Sequence, residues 1–291
     1  MNSRIALLVP TRERVAGLAR LIQSIADTAD KPDDVVLVVG VDDDDAPTRE
    51  FAGRCRSRVE IFWSVGPREL TLGRLWNRLA AGPHDCDILA MFTDDYVMAT
   101  RGWDQQYRRA ASVMPFGFGT AWPIDPLHPP NFCTAPVITR RMMERMGFFV
   151  PPWFPYWFHD IWLEEVGAFV ACRLPLPARM AAPDGRGLTR GMRDLAFWAQ
   201  LFDATRPLRL QLAHRLLDEM YAGQEHLKVS LRFAMQGVAM FYQRRMSSLA
   251  DPARAAVIEQ RHAAAGEPST RYLAARKEAE SLIASLHRPT S

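Results

Sequence analysis

The sequence has few cysteines, and none of them form a recognisable motif. Cys55, Cys86, Cys133 and Cys172 stand singly, with no Cys-x-x-Cys spacing. That spacing is expected of a structural zinc site, and clustered cysteines are expected of a small disulfide-rich domain. We therefore exclude both classes and expect buried or inert thiols in a reducing compartment.

Long apolar runs are also missing. No stretch reaches the ~18 apolar residues that a membrane-spanning helix needs. Near the amino terminus only Ile5–Pro10 is apolar, which is too short for the core of a signal peptide. We therefore expect no transmembrane segment and a cytoplasmic protein. A Gly-rich phosphate loop is absent too, because Gly117-Phe118-Gly119 lacks the third glycine and the strand-to-helix setting of a dinucleotide-binding loop.

The composition that remains is that of an ordinary globular protein. Of the 291 residues, 48% are apolar and 24% are charged, and a chain of this length buries most of its apolar surface without a disulfide or metal. Residues 190–291 carry 15 Lys and Arg against 10 Asp and Glu, whereas the whole chain carries 36 against 33. A basic carboxyl-terminal part indicates either a polyanionic partner, such as nucleic acid or an anionic membrane, or a solvated helical surface.

Short apolar runs alternate with helical patterns in the first part of the chain. The second run is apolar throughout, as expected of a parallel strand covered by helices on both faces. Pro10 is expected to stop the first strand, and Thr11 to cap the helix that follows. The order predicts an α/β sheet with a nucleotide-type crevice at the carboxyl ends of its strands. The predicted strands are Ile5–Val9, Val35–Val41, Val59–Trp63 and Ile88–Phe92, and a helix is predicted over Leu72–Ala81.

The middle and the carboxyl-terminal parts of the chain differ in pattern. Residues Pro115–Pro183 are rich in proline and aromatic residues, and Phe148–Phe158 reads FFVPPWFPYWF. Because proline interrupts helices, we expect loops and short strands there, with the aromatic side chains forming a wall. After Asp194, leucine-rich stripes with helical spacing predict a helical region.

Acidic residues follow two of the predicted strands and the aromatic segment. Asp42–Asp45 comes after the second strand, Asp94 and Asp95 come after the fourth, and Asp160 follows His159. Because the carboxyl ends of parallel strands meet at one edge, we expect the first two clusters to lie close together. Close carboxylates favour a cation, and Mg2+ or Mn2+ takes oxygen ligands and bridges to substrate phosphates. The pattern predicts a metal–diphosphate site; the alternative interpretation is loop carboxylates and helix caps.

Five segments, in order along roughly residues 4–170, resemble family 2-type glycosyltransferases of the GT-A fold. The resemblance implies a Rossmann-like nucleotide-diphospho-sugar transferase domain over residues 1–190 and a helical region over residues 191–291. The chain has Thr93-Asp94-Asp95 where many relatives have Asp-x-Asp, and His159-Asp160 where they have Glu-Asp. The segments are LVPTRER (Leu8–Arg14), VGVDDDD (Val39–Asp45), LGRLWNRLAAG (Leu72–Gly82), ILAMFTDDYVMATRGWD (Ile88–Asp104) and HDIWLEEVG (His159–Gly167).

The resemblance implies where the nucleotide of a sugar donor would bind. Asp42 would accept a hydrogen bond from the base, with Asp44 nearby. Asp94 would face the ribose or the sugar. These carboxylates belong to the two clusters that follow the second and fourth strands. The other residues implied to lie beside or over the nucleotide are Pro10, Thr11, Arg14, Gly73, Arg74 and Asn77.

The resemblance also implies the catalytic groups. Asp95 would bind Mn2+ or Mg2+, His159 would orient Asp160 or approach the metal, and Asp160 would be the general base. The activity implied is metal-dependent transfer of a sugar from a nucleoside diphosphate sugar to an acceptor hydroxyl. The metal would offset the charge of the leaving diphosphate, and the base would take the proton of the hydroxyl. One direct displacement gives inversion at C1 of the sugar.

The acceptor and two other functions stay open. The acceptor is a saccharide or glycoconjugate, or a hydroxymethylated base in DNA, which the basic helices would hold and the aromatic segment would receive. A nucleotidyltransferase-type enzyme also uses clustered carboxylates and a metal, but it usually has a Gly-rich basic loop where this chain has Pro10–Arg14. A non-catalytic nucleic-acid-binding protein would grip phosphates with basic side chains of the carboxyl-terminal helices. The candidates for that role are Arg232, Arg244, Arg245 and Arg254.

Overall fold

The computed structural model of the protein describes residues 3–82, 84–129, 131–184, 193–260 and 267–286. Its strands form a sheet of eight, in which parallel and antiparallel pairs are mixed. The predicted α/β fold class is confirmed, and the predicted strands of the first part of the chain are all present. The strands are β1 (Ile5–Thr11), β2 (Val35–Asp42), β3 (Glu60–Gly66), β4 (Ile88–Met91), β5 (Val97–Met98), β6 (Thr120–Ile124), β7 (Val137–Thr139) and β8 (Arg173–Ala181).

Helices alternate with the strands and then continue alone to the end of the described chain. The first four separate the strands of the amino-terminal half, the next two flank the aromatic segment, and the last five form the predicted helical region. The helices are α1 (Val15–Thr28), α2 (Ala46–Arg54), α3 (Leu72–Ala80), α4 (Trp103–Val113), α5 (Arg140–Met146), α6 (His159–Phe169), α7 (Leu195–Ala204), α8 (Arg206–Met220), α9 (Glu225–Ala250), α10 (Pro252–Gln260) and α11 (Thr270–Leu286).

The sheet has the order β3-β2-β1-β4-β7-β6-β8-β5. Strands β1 to β4 run parallel, with Leu7 opposite both Leu37 of β2 and Ala90 of β4. Strand β7 then pairs antiparallel with β4. All residues of β2 and β4 are buried, which explains why these strands read as unbroken apolar runs. The carboxyl ends of β1, β2 and β4 therefore lie at one edge of the sheet.

The end of β1 differs from the sequence-based expectation. The strand runs through Pro10 and Thr11, and α1 begins at Val15 without a side-chain cap. The carbonyl of Leu8 accepts a hydrogen bond from the N–H of Phe92, the residue after β4. Pro10 lies two residues further along β1, where β4 has already ended. Its missing N–H therefore faces no residue of β4, and the strand can continue through the proline. The cap predicted for Thr11 is therefore wrong, and the Thr11 hydroxyl is available for another partner.

The middle of the chain is more regular than predicted. Helices α5 and α6 and the nine-residue strand β8 occupy much of the region expected to be loops and short strands. Helix α6 begins after the last proline of the aromatic segment, Pro155, and nearly all of its residues are buried. A helix that is buried all round has no polar face, so its period cannot be read from the sequence.

The carboxyl-terminal helices share one hydrophobic core with the sheet domain. Phe154 and Phe158 of the aromatic segment pack against Phe202 of α7. Glu165 of α6 and Arg209 of α8 form a buried ion pair with 2.6 Å between Oε2 and Nε.

The predicted boundary between residues 190 and 191 lies outside the described residues, so the two-part division stays a prediction. No helix in the described ranges has both the length and the apolarity needed to cross a bilayer.

Candidate active site at the carboxyl edge of the sheet

The turn between β1 and α1 connects both acidic clusters. Thr11 donates a hydrogen bond of 2.7 Å from Oγ1 to Oδ2 of Asp94. Arg14 lies with Nη1 at 3.3 Å from Asp94 Oδ1 and 3.9 Å from Asp95 Oδ2. Arg12, in the same turn, contacts Asp42. The clusters after β2 and β4 thus share one edge of the sheet, as the parallel order predicts.

Asp94 is buried, and its carboxylate is held on the β1 side. Burial raises its pKa to about 6, which Thr11 and Arg14 partly oppose and the neighbouring Asp95 reinforces. The backbone of Asp94 also packs closely against α1, because a Cβ on Gly17 would lie 2.5 Å from the Asp94 carbonyl oxygen. A glycine in the first turn of α1 is therefore what lets the helix approach the loop after β4.

We expect Gly17→Ala to lower the free energy of unfolding by about 1–3 kcal/mol, the range for overpacking a filled site. The neighbour is a backbone carbonyl, so it cannot move aside cheaply, and the displaced loop carries Asp94 and Asp95. Gly237 of α9 is the matched control, since a Cβ there meets nothing within 4 Å. Gly237→Ala should stabilise the protein by up to about 1 kcal/mol. Urea unfolding of both variants measures this, and equal midpoints for the two would refute the close approach.

Asp42 lies in a network of arginines that the sequence did not predict. Its Oδ2 is 2.9 Å from Arg12 Nη1 and 3.5 Å from Arg68 Nε. Arg12 also donates to the exposed Asp44, from Nη1 to Oδ1 at 2.5 Å and from Nη2 to Oδ2 at 3.1 Å, and this hydrogen bonding lowers the pKa of Asp44. A nucleobase that binds Asp42 must therefore share the carboxylate with these two guanidinium groups.

Asp45 belongs to the fold and not to the site. Its side chain accepts hydrogen bonds from the backbone N–H of Thr48, which caps α2, and of Glu13 in the turn after β1. These bonds lower its pKa against the opposing effect of burial. The alternative interpretation of the acidic run as helix caps is therefore correct for this one residue.

Two polar side chains of α3 have partners within the protein. The Asn77 amide accepts the N–H groups of Phe149 and Val150 with Oδ1, and donates from Nδ2 to the Val150 carbonyl. Arg74 pairs with Glu278 of α11, with 2.5 Å between Nη2 and Oε2. Asn77 thus fixes the start of the aromatic segment and Arg74 joins α3 to α11, and the nucleotide contacts implied for them stay predictions. Pro10 is half-buried at the end of β1.

His159 is packed between α3 and the aromatic segment. Its ring contacts Trp76 edge-on at 5.1 Å and Phe154 at 6.0 Å. Nδ1 lies 3.1 Å from the Tyr156 carbonyl oxygen, and a Cβ on Gly73 would come within 2.7 Å of Nε2. Burial lowers the pKa of His159 to about 4, so the ring is neutral. These contacts are those of a positioning residue and do not support the predicted approach to a metal.

Asp160 lies in the first turn of α6 and lines a large cavity. The preceding Phe158 has φ of 77°, a left-handed conformation rare for a bulky residue, which sets the direction in which the helix starts. Asp160 Oδ1 accepts the N–H of Ile161 at 2.8 Å. Burial raises the pKa of Asp160 to about 7, against the opposing effect of Arg245. A carboxylate with such a pKa is suited to proton transfer near neutral pH.

The cavity beside Asp160 has a volume of about 610 Å³. Its lining comes from α3, from β4 and the residues after it, from the connection between β6 and β7, from the aromatic segment and the start of α6, and from α7, α9 and α10. Asp95 and Asp160 both face it. The lining includes Trp76, Thr93, Asp95, Tyr96, Asp125, His128, Phe132, Tyr156, Trp157, His159, Asp160, Arg245, Ser248 and Arg254.

The expectation of an aromatic wall holds for part of the segment only. Tyr156 and Trp157 line the cavity, together with Phe158. Phe154 is fully buried against Trp198 and Phe202 and belongs to the core. The residues that the sequence did not indicate as cavity residues come from the β6–β7 connection and from α9 and α10. No local motif marks them, because they reach the cavity only through tertiary packing.

The residues around Asp95 fit a divalent ion only together with a diphosphate. In the parts of the chain that the structure describes, no three His, Cys, Asp or Glu side chains are grouped so as to hold a metal. Asp95 faces the cavity and accepts a hydrogen bond of 2.5 Å from Thr93 Oγ1 to its Oδ1. Magnesium-type ions are commonly held by one or two carboxylates, with substrate phosphates and waters completing the shell. Asp95 therefore fits as the protein ligand of such an ion.

Comparisons with known proteins identify the fold. No protein-family model matches the sequence, and no curated protein matches it. Residues 1–349 of TarS from S. aureus align with a TM-score of 0.53 and 10% identity, over 97% of this chain and 83% of that chain. The same protein in complex with UDP-GlcNAc aligns with a TM-score of 0.54 and 10% identity, over the same shares of both chains. The chain has the GT-A-type glycosyltransferase fold.

Proposed function

We propose that the protein is a metal-dependent glycosyltransferase that moves a hexosyl group from a nucleoside diphosphate sugar to an acceptor hydroxyl. The observation that carries the proposal is that Asp95 and Asp160 line the same 610 Å³ cavity in a chain of the GT-A fold. One carboxylate suits a metal–diphosphate and the other suits a general base. TarS is a structural neighbour with UDP and with UDP-GlcNAc bound, so a uridine nucleotide is the first donor to test.

The donor nucleotide is proposed to bind at the edge formed by β1, β2 and β4. Asp42 would accept a hydrogen bond from the base, with Asp44, Thr11 and Arg14 beside it, and Asp94 would face the ribose or the sugar. Arg74 and Asn77 bind Glu278 and the backbone of residues 149–150, so they have less capacity for a nucleotide. Arg68, 3.5 Å from Asp42, is proposed as a further nucleotide contact.

The proposed reaction uses the two carboxylates that line the cavity, Asp95 and Asp160. Asp160 takes the proton of the acceptor hydroxyl as its oxygen forms the bond to C1 of the sugar. The bond from C1 to the diphosphate oxygen breaks at the same time, and the nucleoside diphosphate leaves with the electron pair. Mn2+ or Mg2+ held by Asp95 supplies charge stabilisation for this leaving group. Arg14, beside Asp94 and Asp95, adds a fixed positive charge. A base opposite the leaving group gives inversion at C1.

The other functions considered have less support. Of the four arginines proposed for nucleic-acid binding, Arg245 and Arg254 face the cavity and Arg232 pairs with Asp218, so they do not form one exposed surface. Modification of a hydroxymethylated base in DNA stays a prediction without a specific observation in its favour. A nucleotidyltransferase usually has a Gly-rich basic loop after the first strand, and the turn after β1, Pro10–Arg14, contains no glycine.

Thermal unfolding with nucleotides tests the donor site. We expect UDP with Mn2+ to raise the unfolding temperature, because a ligand at ~100 times its dissociation constant adds about 2.7 kcal/mol. Mn2+ alone should have little effect, because among the described residues no three His, Cys, Asp or Glu side chains are grouped to hold an ion. GDP, CDP and dTDP, each with Mn2+, measure the selectivity for the base.

Two variants make this experiment specific. Asp95→Asn should abolish the Mn2+-dependent part of the shift. Asp33→Asn is the matched control, since Asp33 is an exposed carboxylate before β2, at the opposite edge of the sheet, and should leave the shift unchanged. A wild-type protein that no nucleotide stabilises, with or without Mn2+, would refute the proposed function.

A further inference from the structure

The lining of the cavity contains basic as well as acidic side chains. Helices α9 and α10 contribute two arginines, Arg245 and Arg254, beside Ser248 and the apolar Leu249 and Ile258. A ligand in the cavity can therefore meet guanidinium groups as well as the carboxylates of Asp95 and Asp160.

Arg245 keeps its hydrogen-bonding capacity free for a ligand. In the described chain its contact with a carboxylate within 4 Å is to Glu164, with 3.8 Å between Nη1 and Oε2, which is too long for a hydrogen bond; its charge also acts on Asp160. The other oxygen of Glu164 already contacts Arg173. The guanidinium carbon of Arg245 lies 5.0 Å from the centre of the Phe132 ring, which holds the side chain in place without using its N–H donors. Glu164 is thus shared between Arg173 and Arg245, and the guanidinium group of Arg245 keeps N–H donors for a ligand.

Arg254 is not neutralised by a carboxylate either. Its guanidinium donates to the Ser248 hydroxyl, and no carboxylate in the described ranges lies within ion-pair distance of it. Asp251, three residues earlier, accepts the backbone N–H of Arg254 instead. Other arginines of the carboxyl-terminal helices are paired: Arg209 with Glu165, Arg232 with Asp218 and Arg276 with Asp194. Arg245 and Arg254 differ from these in facing a cavity.

We propose that the acceptor carries an anionic group, a phosphate or a carboxylate, which Arg245 and Arg254 bind while the acceptor hydroxyl meets Asp160. Guanidinium groups form paired, charge-assisted hydrogen bonds with both kinds of oxyanion. The rest of the acceptor would lie against Tyr156, Trp157 and Phe132, whose rings suit the face of a sugar. This proposal depends on the proposed function, since it names the class of acceptor for the same site.

The donor diphosphate is the other source of an anion, and the geometry favours the acceptor. The residues proposed for the donor nucleotide, such as Thr11, Arg14 and Asp42, belong to the edge formed by β1 and β2 and do not line the cavity. Arg245 and Arg254, from α9 and α10, line the cavity together with Asp160, and the charge of Arg245 acts on Asp160. An anion bound by these arginines therefore lies in the same cavity as the proposed base, where the acceptor hydroxyl is proposed to meet Asp160.

The test compares glucose 6-phosphate and inorganic phosphate with glucose, by ligand-observed NMR titration of the full chain at constant ionic strength. We expect both anions to bind the wild-type protein at least about tenfold more tightly than glucose, the effect of one or two charge-assisted hydrogen bonds. Arg254→Gln and Arg245→Gln should remove this preference. Arg244→Gln is the matched control, because Arg244 is the exposed neighbour of Arg245 outside the cavity lining, and should keep it.

The shift of unfolding temperature with UDP and Mn2+, measured on the same variants, separates the outcomes. The proposal requires this shift to be unchanged in Arg254→Gln. If the variant loses the nucleotide shift, the arginines hold the donor diphosphate and the proposal is overturned. No preference of the wild-type protein for either anion overturns it as well. A wild-type protein without any nucleotide shift contradicts the proposed function itself, whatever the anions do.

Discussion

Asp160→Asn should lower the turnover of the donor sugar by a factor on the order of 10²–10⁴, the contribution usual for a positioned general base. Asparagine keeps an oxygen for the N–H of Ile161, which Asp160 Oδ1 accepts at 2.8 Å, so the start of α6 should be preserved. It cannot take the proton of the acceptor hydroxyl. Release of the nucleoside diphosphate in the presence of acceptor measures the effect, and the unfolding temperature with UDP and Mn2+ should not change.

The pH dependence gives an independent check on Asp160. The pKa of the residue is about 7 because burial disfavours the charged form, and the base works only when deprotonated. The wild-type rate should therefore rise with pH up to about 7 and then level off, falling about tenfold per unit below that pKa. This limb should vanish in Asp160→Asn. Asp218→Asn, which removes an exposed carboxylate of α8, should retain both the rate and the limb; a limb that survives in Asp160→Asn would mean that another group is the base.

Arg209→Met should destabilise the protein by about 3–5 kcal/mol, the cost of leaving a buried charge without its partner. The Glu165–Arg209 ion pair is almost fully buried, and Arg209 is further enclosed by the rings of Trp162 and Phe202, at 4.7 and 3.9 Å from its guanidinium carbon. Burial raises the pKa of Glu165 to about 7 and lowers that of Arg209 to about 10. Desolvation therefore outweighs attraction for each group, and neither is stable alone.

Thermal and urea unfolding measure this prediction, with a fall in the unfolding temperature on the order of 10 °C. The double variant Arg209→Met/Glu165→Leu should recover most of the loss, because it buries no charge. Arg215→Met, an exposed position on the same helix, should stay within about 0.5 kcal/mol of the wild type. If Arg209→Met were no less stable than Arg215→Met, the pair would not join α6 to α8. Catalytic effects should follow only from unfolding, since neither residue lines the cavity.

Local sequence pattern predicts a strand well when nearly all of its residues are buried. Strands β1, β2 and β4 read as apolar runs because helices or neighbouring strands cover them. The carboxyl-terminal helices were recognised because one face of each is exposed, which gives a helical period. Helix α6 shows no such period, since it is buried on nearly all sides, and it follows a proline-rich segment.

Polar residues divided in the same way. Asp94, Asp95 and Asp160 can be proposed from the sequence because they follow a buried strand or stand within a recognisable motif, and their roles stay predictions. The sequence gives no sign that Asn77 binds the backbone of residues about seventy positions away. The local sequence does not predict such a contact, because the residues next to an asparagine along the chain do not show whether its amide binds a loop or a ligand.

The α/β class and the carboxylates at the ends of the strands follow from the sequence alone, because the period of the apolar residues predicts where the buried strands lie. What faces those carboxylates depends on the tertiary structure. Arg12 and Arg14 meet Asp42 and Asp94 across the sheet edge, and Arg245 and Arg254 reach the cavity from helices that follow the sheet. Arginine side chains are long and flexible, so the partner of each is set by packing of distant elements and not by its position in the chain.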